Sequence, residues 1–152
     1  MKPIQIITSP QSRPPFQVDA WVYEQDTSLV LCAADEIKYP SESAEQLIEQ
    51  AVEMSPLIPG SVLVRGYCPL ELLAIVHDLD QEPSWREEWI VKALHGIMQA
   101  SEQHHCEAIA MPLLGTLHGA LKIPRFFELL FSVREQMSCV HLKRLWLVIS
   151  RF

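Results

Sequence analysis

The sequence predicts an α/β domain in which helices cover both faces of a largely parallel sheet. Short apolar runs rich in β-branched and aromatic residues alternate with stretches whose apolar residues recur at helical spacing. The run at residues 72–77 is almost entirely apolar, which is typical of a strand buried on both faces. A length of 152 residues suits one domain, which we expect to span residues 1–152.

The predicted strands, in chain order, lie at residues 4–7, 18–23, 28–32, 61–67, 72–77, 108–111 and 145–149. The proline-rich patch at 9–15 predicts a loop after the first strand. Pro59 and Gly60 predict a turn into the fourth strand. Cys68 and Pro69 predict a second turn, so the fourth and fifth strands should be neighbours in the sheet.

The first predicted helix covers residues 44–54. Its apolar positions share one helical face: Ala44, Leu47, Ile48, Ala51, Val52 and Met54. Ser43 and Gln46 have the spacing of a capping box at its start. Pro56 ends the helix, because proline cannot donate the helical hydrogen bond.

Two further helices flank the strand at 108–111. Ser84 and Glu87 have capping-box spacing, so the longer helix should begin near Ser84 and end near residues 103–105. Its predicted apolar stripe is Trp85, Trp89, Ile90, Ala93, Leu94, Ile97 and Met98. Pro124 suits the first turn of the last helix. That helix should bury Phe127, Leu130 and Phe131.

Composition excludes several classes of protein. Apolar residues make up 49% and charged residues 20%, which is too apolar for a disordered chain. The net charge of −7 argues against a nucleic-acid partner, because acidic domains repel phosphate backbones. No apolar run approaches the roughly 20 residues needed to span a bilayer, so no membrane association is expected. The N-terminus carries no secretory-signal pattern, which predicts a cytoplasmic protein.

The cysteines also indicate a cytoplasmic protein, and the cysteines and histidines together predict no metal site. None of Cys32, Cys68, Cys106 and Cys139 forms a C-x-x-C pair, so we expect reduced, buried thiols. His104, His105 and Cys106 are adjacent at a helix end, where neighbouring side chains rarely converge on one ion. His77, inside an apolar strand, is expected to be a hydrogen-bonded core histidine.

The loop at residues 112–121 carries the main chemical signal. It follows a strand and precedes a helix, and Gly115 and Gly119 let its backbone bend sharply. Backbone N–H groups in such a turn, beside a helix N-terminus, form a site for phosphate. We expect the amides of residues 115–120 to point into free space. The predicted ligand-binding residues are Gly115, Thr116, Leu117, His118, Gly119 and Ala120.

Four stretches, in the same order along the chain, resemble the motifs of macro domains, the fold that binds ADP-ribose. Residues 18–22 resemble the strand of the D-A-I-V-N-A-A-N motif, and residues 59–67 resemble a P-x-G strand ending in G-Y. Residues 74–77 resemble the next strand, and residues 108–116 resemble the strand and diphosphate-binding loop P-L-L-G-T-G-x-G-G-L. The resemblance covers about residues 16–135. It implies a divergent macro-domain-like three-layer α/β/α sandwich with a mixed, largely parallel sheet.

The departures from the family pattern fall on one side of the implied pocket. Residues 7–10 lack the acid that contacts adenine in the family, and residues 23–26 replace N-A-A-N. The chain has no asparagine, so the asparagine of the hydrolytic branches is absent. Residues 28–34 contain no glycine where the family has a glycine-rich phosphate loop. Leu117 and Ala120 stand where glycine is common.

The resemblance implies that ADP-ribose or a related nucleotide or phosphate binds to the 112–121 loop. One alternative is a hydrolase of ADP-ribosyl phosphoesters or conjugates, with His118 as acid or base and Asp26 or Asp35 as its partner. Another is an interaction module that kept the fold and lost the pocket. No cofactor is expected, and the sequence names no protein partner.

Overall fold

The protein's computed structural model describes residues 4–29, 57–66, 69–116 and 119–149. Within these residues, six strands and two helices are present. The strands are β1 (Gln5–Pro10), β2 (Ala20–Asp26), β3 (Val62–Gly66), β4 (Leu70–His77), β5 (Ala108–Pro112) and β6 (Arg144–Ile149). The helices are α1 (Glu87–Gln103) and α2 (Ile123–Gln136). The helix predicted at 44–54 lies outside the described residues.

The strands form one mixed sheet in the order β1-β6-β5-β2-β4-β3. Each neighbouring pair is parallel except β3 and β4, which are antiparallel. The expected mixed, largely parallel α/β fold and the adjacency of β3 and β4 are therefore confirmed. Because β2, β4, β5 and β6 run the same way, their carboxyl ends lie at one edge of the sheet.

One face of the sheet packs against both helices and forms the main core. Its central strands contribute alternate residues, since side chains two apart on a strand share a face. The sheet supplies Val22, Leu72, Ala74, Val76, Ile109, Met111, Leu145 and Leu147. The helices supply Ile90, Ala93, Leu94, Ile97, Met98, Phe126, Leu129, Leu130 and Val133. This packing anchors the loops that leave the carboxyl ends of β4 and β5.

The strand predicted at 28–32 is wrong where the structure describes it. Ser28 and Leu29 lie in a turn after β2. The Asp26 carboxylate accepts the Ser28 N–H at 2.7 Å, and the Leu29 N–H bonds to the Asp26 carbonyl at 3.1 Å. An aspartate that caps its own following backbone in this way favours a turn over a strand. Residues 30–32 lie outside the described residues.

The predicted capping box at Ser84 is also wrong. Helix α1 begins at Glu87 after an extended Arg86, and no side chain caps it. The Ser84 carbonyl accepts the Asp78 N–H at 2.6 Å, and Trp85 pairs with His77 in an isolated β-bridge. These tertiary contacts keep the chain extended before the helix, so α1 begins at Glu87 instead of near Ser84.

The buried face of α2 differs from the predicted one. Pro124 does occupy the first turn. The helix, however, buries Phe126, Leu129, Leu130 and Val133. Phe131 is 39% exposed, and Phe127 is only partly buried. Of the three residues predicted to be buried, only Leu130 is fully buried. The predicted stripe is rotated about the helix axis relative to the face that packs against α1 and the sheet.

The described cysteines and His77 agree with expectation. Cys106 and Cys139 are free thiols, both buried. Burial raises the pKa of each thiol, that of Cys139 to about 11 with a contribution from Glu102. His77 is 1% exposed and contacts Glu24. In the part of the chain that is described, no helix is long and apolar enough to cross a membrane.

Glu102 joins the end of α1 to the segment that leads into β6. Its carboxylate accepts the His141 N–H at 2.9 Å. Partial burial opposes ionisation, but hydrogen bonds from the amides of residues 140–142 and from the Cys139 thiol outweigh it. The pKa of Glu102 therefore lies below its ordinary value of 4.5. An ionised carboxylate here stabilises the native state.

We expect Glu102→Gln to reduce the free energy of unfolding by about 1 kcal/mol at neutral pH, the size of a partly exposed charged hydrogen bond. A lowered folded-state pKa gives stability that is present above pH 4.5 and lost as pH falls through the folded-state value. The difference between wild type and Glu102→Gln should therefore shrink with acidification. Urea titrations from neutral to acid pH measure it. The exposed Glu88→Gln is the control, and a difference that grows in acid contradicts the assignment.

Candidate ligand-binding site

The carboxyl ends of β2, β4 and β5 meet at one edge of the sheet, where the 112–121 loop leaves β5. In open α/β sheets, ligands bind beyond the carboxyl ends of the strands. The structure therefore places the loop predicted from sequence at the edge where a ligand is expected. Its described residues are 112–116 and 119–121.

Beneath this loop lies a set of buried polar residues at the ends of β2 and β4. They are Glu24, Gln25, Asp26, Thr27 and His77, all at most 7% exposed. Polar groups are buried at a cost unless they are hydrogen-bonded. Their position at strand ends, rather than in the middle of the core, makes this edge chemically distinct from the rest of the sheet.

Glu24 connects three elements of the fold. One carboxylate oxygen, Oε2, contacts Nε2 of His77 at the end of β4. The other, Oε1, accepts the Gly115 N–H at 3.0 Å. The carboxyl group of Glu24 thus holds the first part of the loop against β2 and β4. A ligand's anionic group would have to compete with it for the Gly115 N–H.

The inner part of the loop is closed by its own hydrogen bonds. The Thr116 N–H and hydroxyl both donate to the Leu113 carbonyl, at 3.1 and 2.7 Å. The Leu121 N–H donates to the Gly115 carbonyl at 3.1 Å. Gly115 has a φ of +80°, in the left-handed region that glycine adopts without strain. The expectation that all the amides of 115–120 point into free space is therefore wrong for Gly115 and Thr116.

The outer part of the loop is different. The N–H groups of Gly119 and Ala120 donate to no acceptor among the described residues. Ala120 is exposed and lies three residues before α2. Lys122 is the N-cap residue of α2, and no side chain accepts a capping hydrogen bond there. The first turn of the helix has no acidic residue. A helix N-terminus carries partial positive charge, so this outer half favours an anion.

Two cations lie close to this end of α2. Arg125 binds both carboxylate oxygens of Glu87, at 2.5 and 3.1 Å, and also binds Glu128 at 2.7 Å. These hydrogen bonds raise the pKa of Arg125 and lower that of Glu87. Lys122 is exposed and forms no ion pair with any described residue. Lys122 is therefore better placed than Arg125 to meet a ligand's charge.

The other predicted site residues fall into two groups. Leu117, His118 and Asp35 lie outside the described residues. Asp26 is fully buried, and its carboxylate caps the turn after β2, so it serves the backbone there. Sequence reasoning missed Glu24 as a site residue. The available signal was three consecutive polar residues, 24–26, at the end of an otherwise apolar strand.

Metal binding finds no support in the described residues. They contain no group of three or more His, Cys, Asp or Glu side chains arranged to hold an ion. The His105 ring instead stacks on the His141 ring, with centroids 4.1 Å apart.

Comparison with known proteins identifies the fold. No protein-family model and no curated protein sequence matches the chain. Among solved structures, the macrodomain of Thermus aquaticus DarG has a TM-score of 0.70 at 14% identity and covers 97% of this chain and 98% of its own. The macrodomain of Mycobacterium tuberculosis DarG has a TM-score of 0.70 at 12% identity, covering 95% and 99%. The Oceanobacillus iheyensis macrodomain with ADP has a TM-score of 0.65 at 16% identity, covering 95% and 82%.

The chain therefore has the macrodomain fold. The similarity extends over nearly its whole length, while the low sequence identity makes it a divergent example. The resemblance drawn from the sequence motifs is confirmed at the level of the fold.

Proposed function

We propose that this protein binds a phosphate-bearing nucleotide ligand, ADP-ribose or a relative of it, through the 112–121 loop. The observation that carries the proposal is the pair of N–H groups at Gly119 and Ala120, which have no acceptor among the described residues and lie beside the start of α2, where no side chain caps the helix. A phosphate there would receive two N–H donors, the helix dipole and the charge of Lys122. The fold gives further support, since macrodomains have been solved with ADP and with ADPR.

Catalysis is not part of the proposal. A hydrolase would need a positioned acid–base pair at the ligand. Of the residues considered for that pair, Asp26 is fully buried and already accepts the Ser28 N–H. His118 and Asp35 lie outside the described residues. We therefore propose binding without a reaction step.

A second candidate function is an interaction module without a small-molecule pocket. The observation that favours it is the hydrogen bond from the Gly115 N–H to the internal carboxylate of Glu24. Gly119 also packs tightly, since a Cβ on it would lie 2.7 Å from the Gly115 carbonyl and 3.0 Å from Trp85. The first contact closes the inner half of the loop, and the second packs Gly119 of the outer half against Gly115 and Trp85.

Isothermal titration with ADP-ribose, ADP and inorganic phosphate distinguishes these functions. We expect Lys122→Gln to weaken ADP-ribose binding about fivefold, because an exposed charge contact contributes up to about 1 kcal/mol. The matched control is Lys143→Gln, which removes the same charge just before β6, at the opposite edge of the sheet. It should bind like wild type.

A second substitution tests whether the phosphate lies beside the N–H groups of Gly119 and Ala120. Ala120→Asp places a carboxylate on an exposed residue next to the proposed phosphate, and like-charge repulsion should weaken binding further. Its control is Ser138→Asp, also exposed and at the opposite edge. Wild-type protein that gives no heat with any of the three ligands at millimolar concentration contradicts the binding proposal and leaves the interaction module.

A further inference from the structure

A concave surface lies at the opposite edge of the sheet from the 112–121 loop. It is a cavity of about 930 Å³, within the size range of small-molecule sites. It sits beside the amino ends of the central strands: Asp19 precedes β2, Leu70 begins β4, and His104 and His105 follow α1. The 112–121 loop does not line it, so it is separate from the site proposed above.

Aromatic rings line part of the cavity. Trp21 and Trp146 meet edge to face with centroids 5.3 Å apart, and Phe16 lines the same space. The Trp146 ring is held in place, because its Nε1–H donates to the Ser9 carbonyl at 2.9 Å. A rigid wall of this kind suits a planar ring, since aromatic pairs gain energy beyond the area they bury.

The charge of the lining selects the sign of the occupant. Asp19 is exposed and is the one carboxylate among the cavity-lining residues, which also include His104 and His105 but no lysine or arginine. Its Oδ2 accepts the amides of Glu107 and Ala108 at 2.8 and 3.2 Å, so the carboxylate is fixed at the cavity edge. A negative charge beside indole rings attracts cations and repels anions.

The same aromatic group already binds a cation of the protein. The Arg144 guanidinium lies over the Phe16 ring, 4.9 Å from its centroid. Phe16 therefore has one face engaged by charge, while Trp21, only partly buried, lines the cavity. Tryptophan is the strongest of the aromatic residues in such contacts.

We propose that this cavity binds a small aromatic amine, whose planar ring packs against Trp21 and Phe16 and whose ammonium group pairs with Asp19. The proposal stands independently of the ADP-ribose proposal, because it uses other residues, the opposite edge of the sheet and the opposite ligand charge.

Three probes that share an indole ring and differ in charge test the proposal by isothermal titration of the full chain. The titration is run at about pH 7.5, where an aliphatic amine is protonated and a carboxylic acid is ionised. The probes are tryptamine, tryptophol and indole-3-acetate, which are cationic, neutral and anionic. We expect tryptamine to bind tightest and indole-3-acetate at least about tenfold more weakly. Equal binding of the three, or no heat from any at millimolar concentration, overturns the proposal.

Two variants assign the roles. Asp19→Asn keeps an oxygen for the Glu107 and Ala108 amides, and should weaken tryptamine about fivefold while leaving tryptophol unchanged. Glu107→Gln, the matched control, removes a neighbouring carboxylate outside the cavity and should change neither. Trp21→Leu should weaken tryptamine and tryptophol alike. Tryptamine binding that is unaffected by Asp19→Asn, or by Trp21→Leu, contradicts the assignment.

Discussion

Replacing Glu24 with alanine is expected to lower the free energy of unfolding by about 3 kcal/mol, because the buried groups of His77 and Gly115 that it contacts lose their hydrogen-bond partner. Glu24 is 5% exposed and its carboxylate contacts His77, which is 1% exposed. Removing the carboxylate also deprives the Gly115 N–H of its acceptor. Urea denaturation followed by tryptophan fluorescence measures the change.

Two variants separate charge from shape in this experiment. Glu24→Gln keeps the side-chain size and an oxygen for the Gly115 N–H, so we expect a loss smaller than that of Glu24→Ala. Glu128→Ala removes a 66% exposed carboxylate that binds Arg125, and should cost less than about 1 kcal/mol. A Glu24→Ala protein as stable as Glu128→Ala would show that Glu24 does not hold the loop.

The second large effect is expected at Gly115, the other end of the same hydrogen bond. Gly115→Ala should destabilise the protein by about 2–5 kcal/mol, from the left-handed backbone and from overpacking. The φ of Gly115 is +80°, and a Cβ on it would lie 2.4 Å from Cδ1 of Ile90 in α1. Thermal and urea unfolding of the purified variant measure the loss.

Gly66→Ala is the matched control for the backbone contribution. Gly66 also has a positive φ, +70°, but the nearest atom to its added Cβ is the Pro69 carbonyl oxygen at 3.4 Å. We therefore expect Gly66→Ala to cost only the conformational part, about 1–2 kcal/mol. Equal losses in the two variants would mean that the contact with Ile90 relaxes without cost.

These two predictions bear on the proposed ligand site. Glu24 and Gly115 define the inner half of the 112–121 loop, and their hydrogen bond holds it closed. The proposed phosphate contacts lie in the outer half, at Gly119, Ala120 and Lys122. Ligand binding in Glu24→Gln should therefore persist if that variant remains folded.

The fold was predictable because its signals are local and repeated. The run at 72–77 is apolar except for His77, and the apolar stripe from Ile90 to Met98 lies on one helical face; the structure has β4 and the buried face of α1 at these positions. The positions of Pro59 and Gly60 predicted the turn before β3. Such patterns can be recognised in the sequence because the spacing of apolar residues and the positions of proline and glycine are visible within a few residues.

The errors arise where a distant residue decides a local choice. Ser84 and Glu87 have capping-box spacing, yet the pairing of Trp85 with His77 and the Asp78–Ser84 hydrogen bond keep the chain extended there. Phe131 suits a buried helical position as well as Phe126 does, and only the packing of α2 against its neighbours selects Phe126. Local propensity is easily overruled by such contacts.

In the candidate site, too, some features follow from local sequence and others from contacts with distant residues. The sequence by itself determined that a glycine-containing loop follows a buried strand and precedes a helix, because glycine spacing and proline placement are local properties. Only the tertiary structure decided that Glu24, some 90 positions earlier in the chain, accepts the Gly115 N–H. It also placed Asp19 and three aromatic rings around a cavity at the opposite edge. The physical reason is that a strand's side-chain pattern is set locally, while the hydrogen-bond partner of a buried polar side chain is set by which strands lie side by side in the sheet.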